Sequence, residues 1–324
     1  MIADKEITIL LASYNGQEYI ATQLDSIINQ SYTNWRLIIR DDGSTDKTID
    51  IINEYIGAHK NISLIINNSN IKGACANFSA LFDLAKRDDS VKYIMFCDQD
   101  DIWKPEKIEK YAVAMQQMEN EFTAQPFLVY GDFELMTSDG SYMPGDYKLL
   151  PEIHLPNLLS FNYVYGCTII MNRELMTKID TIPVNAINHD YWIALVASIY
   201  KSKYISEKLL RYRQHTNNAS GNVIGNNSLS ARLKRNLLSP GKENENLKIR
   251  LSMFASFQQK YYNQLSANNN LIITNYLKAF NISRFRVLNV MLRNKIFRKG
   301  VLQTSASFFQ VLFFYNSIRS KVDF

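Results

Sequence analysis

Three polar clusters each follow an apolar run: Ser13-Tyr14-Asn15-Gly16 after 6–12, Asp41-Asp42-Gly43-Ser44-Thr45-Asp46 after 35–40, and Asp98-Gln99-Asp100-Asp101 after 91–97. In the last, Asp98 and Asp100 stand at i and i+2 in a turn, where two carboxylates can converge on one hard cation. Mg²⁺ and Mn²⁺ take such oxygen ligands, with diphosphate oxygens completing the shell. The plain alternative is a solvated acidic loop. A carboxylate at Asp41 or Asp42 can accept the N3–H of a uracil or thymine ring, or a ribose hydroxyl. A turn with Ser44 or Thr45 as helix cap explains the hydroxyls there, though not two adjacent acids. Asp190, after Asn188 and His189, is either a first-turn helix acid or a general base with aromatic neighbours Tyr191 and Trp192. Arg211-Tyr212-Arg213-Gln214-His215 is either a solvated basic edge or a cationic clamp on a diphosphate leaving group. Residues 163–168 (YVYGCT) combine aromatics with Gly166, as core packing or as a floor for a sugar.

The elements that must position these residues alternate. Strands are predicted at 6–12, 35–40, 62–66 and 91–97, and helices at 18–30, 47–56 and 77–86. This β-α-β order implies right-handed crossovers and a mostly parallel sheet flanked by helices. All three clusters then fall at the C-terminal ends of strands, the edge where open α/β sheets bind ligands. Beyond 101 the pattern predicts a helix at 105–118, strands at 127–135 and 166–171, a helix at 189–199, and a strand at 203–213 that turns back. Residues 214–230 read as a polar linker, and everything from 231 onward as helices.

The 324 residues, 46% of them hydrophobic, suffice for a sizeable core. Cys75, Cys97 and Cys167 form no C-x-x-C pair, which argues against a disulfide framework or a thiolate zinc site. No secretory leader and no apolar run of membrane-spanning length is apparent, so the expected address is the cytoplasm. Residues 1–220 carry a net charge of −8 and residues 221–324 a net +13. The expected division is therefore a catalytic domain at 1–220 and a basic helical region at 221–324 that meets something anionic.

Taken together, the motifs resemble glycosyltransferase family 2, inverting enzymes of the GT-A type. They are L-A-S-Y-N-G at 11–16, R-D-D-G-S-T-D at 40–46, C-D-Q-D-D-I-W at 97–103, Y-G-C-T at 165–168, N-H-D-Y-W at 188–192 and Y-R-Q-H at 212–215. The D-Q-D-D-I-W and H-D-Y-W forms are most similar to the rhamnosyltransferase-like branch that builds bacterial O-antigen, capsule or cell-wall polysaccharide. The resemblance implies that Ser13, Tyr14 and Asn15 line the base and ribose, and that Asp41 or Asp42 reads the base. It implies that Asp98 and Asp100 hold Mg²⁺ or Mn²⁺ and the sugar diphosphate, Asp100 as the direct ligand. Asp190 becomes the catalytic base, with His189 where the family usually has a second acid. Gly166, Trp192, Arg211, Arg213 and His215 fall near the acceptor or diphosphate.

The expected donor is dTDP-rhamnose, with a UDP-hexose next, and the expected acceptor is a lipid-linked oligosaccharide at the inner face of the cytoplasmic membrane. A sugar-nucleotide pyrophosphorylase would need a Gly-rich, Arg-containing loop after the first strand, which 12–17 lacks. A non-catalytic sugar-binding assembly protein would have no use for Asp190. Within 284–299 a continuous helix would align Phe285, Leu292 and Ile296, flanked by Arg284, Arg286, Arg293, Lys295 and Lys299. With Phe308, Phe309, Phe313 and Phe314 this suits an interfacial helix on an anionic leaflet, the alternative being packing on the enzyme or in a homodimer. Nucleic acid is not expected, since no nucleic-acid fold accompanies the charge.

Overall fold

Apolar runs too short for helices and too continuous for exposed strands require a sheet covered on both faces. The computed structural model, which describes residues 5–144, 149–184, 186–215, 240–298 and 301–319, shows that sheet. Its first half runs β1 (Ile7–Ser13), α1 (Ile20–Ile28), β2 (Trp35–Asp41), α2 (Thr48–Ala58), β3 (Ile62–Ile66), α3 (Ala74–Arg87) and β4 (Tyr93–Asp98). β1 and β4 are buried along nearly their whole length, whereas β2 alternates buried and half-buried positions. After β5 (Ile102–Trp103) and α4 (Lys107–Glu121) come β6 (Phe127–Gly131), β7 (Glu134–Met136) and β8 (Tyr142–Met143). α5 (Leu155–Ser160), a 3-10 turn Gly166–Thr168, β9 (Ile169–Asn172), α6 (Arg173–Lys178), α7 (His189–Ala197), β10 (Lys201–Ile205) and β11 (Leu210–Arg213) follow.

The seven-stranded sheet has the order β10-β6-β9-β4-β1-β2-β3. All neighbours pair in parallel except β9, which runs antiparallel to both β4 and β6. The chain leaves β1 toward β2 and β3, then returns to add β4 on the other side, so the strand order reverses between β1 and β4. Such a switch point opens the crevice that doubly wound sheets use for ligands. The register fixes what faces it: Ser13 pairs with Asp41 and Ala12 with Asp98, so the clusters after β1, β2 and β4 begin at one level.

A second sheet, β5-β11-β7-β8, corrects the expected long strands. The run 127–135 breaks at Asp132 into β6 and β7, which belong to different sheets. Asp132 accepts from Leu149 N at 2.7 Å and Tyr204 Oη at 2.5 Å, a buried polar joint. The run 203–213 likewise divides into β10 and β11, and 166–168 is a 3-10 turn that precedes strand β9. β11 lies antiparallel to β5, with Arg211 opposite Ile102, which brings the 212–215 motif to the segment just after the acidic loop.

The chain divides into two compact units, residues 1–152, 164–193 and 200–219, and residues 153–163, 194–199 and 220–324. The second thus takes in two stretches that the sequence assigned to the catalytic domain. Its helices Pro240–Tyr261, Ala267–Ile282, Arg284–Arg293 and Val301–Arg319 cross-link through Arg284 Nη1 to Leu312 O (2.7 Å) and Tyr315 Oη to Phe280 O (2.7 Å). Ser283 caps the third helix, its side chain accepting from Arg286 N at 3.2 Å. The expected continuous helix over 284–299 is corrected: it ends at Arg293. Lys295 turns left-handed (φ 53°), and Ile296 N donates back to Met291 O at 2.9 Å, the bond of a Schellman stop. The stripe therefore breaks, with Ile296 fully buried while Phe285 and Leu292 are exposed. Most of the predicted linker, 216–230, lies outside the described residues, as do Lys299 and the side chain of Phe314. No helix among the described residues is long and apolar enough to cross a membrane.

Candidate active site

The loops after β1 and β2 are knit to each other. Asp41, fully buried, accepts from Ser13 Oγ (2.8 Å), Ser44 Oγ (2.6 Å), Gly43 N (3.0 Å) and Ser44 N (2.6 Å). Four donors match the four lone-pair positions of a carboxylate. Asp42 accepts from Asn67 Nδ2 (2.6 Å) and Gly73 N (2.6 Å) and lies 3.5 Å from Arg40 Nη1, so it keeps acceptor capacity. Asn15 sits left-handed (φ 45°); its N–H donates to Ser44 Oγ and its Oδ1 accepts from Thr45 N. Ser13 is buried and its hydroxyl is spent on Asp41, whereas the Tyr14 ring is half exposed.

Gln99 bridges the switch point. Its Oε1 accepts from Tyr14 N (2.9 Å) and its Nε2 donates to Tyr14 O (3.0 Å), tying the β4 end to the β1 end. A Cβ on Gly16 would meet Gln99 Oε1 at 2.3 Å, so this bridge requires glycine there.

The acidic loop concentrates negative charge. Burial first, then the Asp100 and Asp190 carboxylates, push Asp98 up to about 7. Burial, Asp100 and Asp98 likewise hold Asp101 well above the usual carboxylate range. Asp101 Oδ1 accepts from Arg213 N (3.1 Å), while its buried Oδ2 has no hydrogen-bond partner among the described residues. Oxygens of Asp98 and Asp101 and Cys167 Sγ lie within 4.8 Å of one another. Burial keeps the Cys167 thiol protonated, which leaves oxygens as the available donors. Crowded carboxylates whose ionisation is disfavoured, one with an orphaned oxygen, fit a hard divalent cation.

β11 closes over this loop. His215 Nε2 lies 2.7 Å from Asp100 Oδ2, and Arg213 Nε donates to Asp100 O at 2.7 Å. Arg213 Nη1 also donates to Ser138 O (2.7 Å), and its guanidinium lies 4.7 Å from the Tyr19 ring centroid. Being buried and bound to carbonyls, Arg213 braces the loop. Arg211 is mostly exposed and faces Glu134 at 3.8 Å, so the pair expected to clamp one diphosphate have different partners.

Asp190 lies in the first turn of α7, where its Oδ2 accepts from Gly166 N at 3.0 Å. Burial pushes its carboxyl up to about 7, against the opposing effect of the Gly166 and Tyr191 N–H groups. A Cβ on Gly166 would meet His189 Nε2 at 2.5 Å. His189 stacks on Phe78 (4.1 Å) and lies 4.9 Å from Phe96; burial holds it neutral, its pKa lowered to about 3. At the position where the resemblance implies a second acid, this chain has an uncharged aromatic filler. Trp192, expected near the acceptor or diphosphate, is instead a core residue with its side chain buried.

Sequence reasoning missed Gln99, Asp101 and Lys107. Gln99 and Asp101 stand inside the motif that was read and would follow from asking what joins the strand ends. Lys107 is fully buried, which its residue type argues against.

The family model "Glycosyl transferase family 2" matches residues 8–178. A putative teichuronic acid biosynthesis glycosyltransferase of Bacillus subtilis is 30% identical over 224 residues, 67% of this chain and 82% of that protein. A dTDP-rhamnosyl transferase of Shigella flexneri is 32% identical over 244 residues, 69% of this chain and 77% of that one. The chain belongs to glycosyltransferase family 2. Among solved structures, S. aureus TarS 1–349 with UDP-GlcNAc aligns at TM-score 0.56 and 15% identity, over 97% of this chain and 89% of that one. It shares the GT-A fold: a mostly parallel central sheet flanked by helices.

Proposed function

We propose that the protein transfers a sugar, with inversion, from a nucleotide-sugar to a saccharide acceptor in bacterial polysaccharide synthesis. The observation that carries this reading is Asp190: a buried carboxyl held by Gly166 N–H, pushed up to about 7 by burial and close enough to the acidic loop to raise Asp98. A general base works best with a pKa near the operating pH. In this reading Asp190 takes the proton of the acceptor hydroxyl as that oxygen attacks the anomeric carbon. Asp42, with acceptor capacity to spare, reads the base imide, while Asp41 holds the loop. Tyr14 and Asn15 flank the ribose.

Asp98 and Asp100 would hold Mg²⁺ or Mn²⁺, with the Asp101 carboxylate beside them and His215 on Asp100. Bound there, the ion would neutralise charge on the departing diphosphate. Arg213 keeps Asp100 in place and adds positive charge to the same corner.

The donor we favour is dTDP-rhamnose, on the likeness to the Shigella rhamnosyl transferase, with a UDP-hexose second. The acceptor is a lipid-linked oligosaccharide at the inner face of the cytoplasmic membrane. In support, no acidic residue and twelve Lys/Arg lie between Glu245 and Asp323, and Phe285, Leu292 and Phe313 are exposed. Apolar and cationic groups without acids suit an anionic lipid surface. Thermal-shift screening of dTDP-, UDP- and GDP-sugars with Mn²⁺ tests the donor, because a ligand of the folded state raises Tm by mass action. The favoured donor gives the largest shift, and no shift with any of them contradicts the reading.

A further inference from the structure

Lys107 opens α4, the positive end of a helix, where a cation is disfavoured. It is also fully buried, so something other than the helix holds it there. Its Nζ donates to Cys167 O at 2.6 Å and lies 3.6 Å from the Trp103 ring centroid. One turn further along α4, Tyr111 Oη donates to Thr168 O at 2.7 Å. Two side chains at i and i+4 thus grip consecutive carbonyls of the 166–168 turn, which presents Gly166 N–H to Asp190. The two grips differ in charge. Burial lowers Lys107 to about 8, against the opposing effect of neighbours that include Asp101 and Asp98, and its charge acts back on both acids. Trp103 comes from the segment just past these acids, so the ammonium contacts the acidic-loop side through an aromatic face and the base side through a carbonyl.

We propose that Lys107 is a positioning residue, the fixed internal counter-charge of the 98–101 carboxylates and the peg that spaces them from the turn holding Asp190. The charge half rests on the metal reading above; the peg half does not. Before the cation arrives, Lys107 offsets the acids, and once it is bound the two positive charges oppose each other. Removing the ammonium therefore strengthens cation binding while the loosened turn slows the chemistry. A residue that merely fills space would not produce that split.

The test is Mn²⁺ titration followed by electron paramagnetic resonance at pH 7.5, beside kcat and KM, on the full chain and its variants. Lys107→Met is expected to bind Mn²⁺ about tenfold tighter and to lose about 10–100-fold in kcat, part of the general-base contribution. Tyr111→Phe, which loses a grip but no charge, is expected to keep wild-type Mn²⁺ affinity with a smaller loss in kcat. Lys107→Met/Asp101→Asn removes both opposed charges while Asn can still accept from Arg213 N. It should fold even where Lys107→Met alone does not, and, because Asp101 is one of the clustered carboxylates, its Mn²⁺ affinity should fall below that of Lys107→Met. Unchanged Mn²⁺ affinity in Lys107→Met, or equal tightening in Tyr111→Phe, overturns the counter-charge. Unchanged kcat in Lys107→Met overturns the peg. Failure of both Lys107 variants to fold reduces the lysine to a structural pin and overturns the proposal. No Mn²⁺ uptake by the wild type overturns the metal reading itself, and the counter-charge with it.

Discussion

The two units treat charge in opposite ways. In the first, Asp41, Asp42, Asp101, Lys107, Asp190 and Arg213 are all buried, each tied to named donors or acceptors. In the second, Arg286, Arg293 and Lys295 are exposed beside Phe285 and Leu292. Buried polar groups are costly unless paired, so the first unit spends stability to hold a fixed geometry. Scattered cations on helix surfaces cost little and fix little. Substitutions in the first should therefore change chemistry, and those in the second only what the surface adheres to.

The sharpest way to break that contrast is Asp100→Ala. It removes the carboxylate that meets His215 at 2.7 Å. Calorimetry should show metal-dependent donor binding abolished with the fold intact. Donor affinity that persists, equal with and without EDTA, contradicts the metal role.

The metal-free protein should pay for its acids as pH rises. Asp98 and Asp190 go from the ordinary 3.8 to about 7 on folding, so between pH 4 and 7 the folded chain binds more protons than the unfolded one. Stability then falls with increasing pH through that window, by about 1–4 kcal/mol for each group. Thermal unfolding at pH 5 and pH 8 checks this. Asp190→Asn should flatten the dependence, and Mn²⁺ should restore Tm at pH 8.

Gly166→Ala places a Cβ 2.5 Å from His189 Nε2. Overpacking of this kind costs about 1–3 kcal/mol. Denaturant unfolding should show that loss, relieved when His189→Ala is added. A neutral Gly166→Ala would mean that Asp190 is less tightly seated than the geometry indicates.

Least affected should be the double substitution Phe285→Ser/Leu292→Ser, within about 0.5 kcal/mol because both side chains are exposed. Its effect should instead appear in co-sedimentation with anionic liposomes, which weakens and becomes more sensitive to salt. Equal sedimentation by wild type and variant removes these residues from any membrane contact.

The legible parts were the local ones. Strand runs, the acids at their ends and the first-turn Asp190 can be read because neighbours in sequence are neighbours in the site. The antiparallel β9 and the second sheet could not, since pairing between 102–103, 134–136 and 210–213 depends on contacts distant in sequence. Lys107 was hidden for the same reason: its carbonyl partner is 60 residues away. In the second unit periodicity misled, because the stop at 294–296 uses a left-handed lysine rather than the usual glycine.

The account turns on Asp190 as the base, and the pH dependence of kcat with and without it is the most direct test. In the wild type kcat/KM should rise with pH and level off above about 7, where the carboxyl of the free enzyme is ionised; kcat should rise likewise. Asp190→Asn keeps an acceptor for Gly166 N–H and cannot take the proton. It should lower kcat by about 10²–10⁴, abolish the rise, and leave donor affinity nearly unchanged. A variant that keeps wild-type kcat and loses only stability would make Asp190 a helix residue and contradict the account.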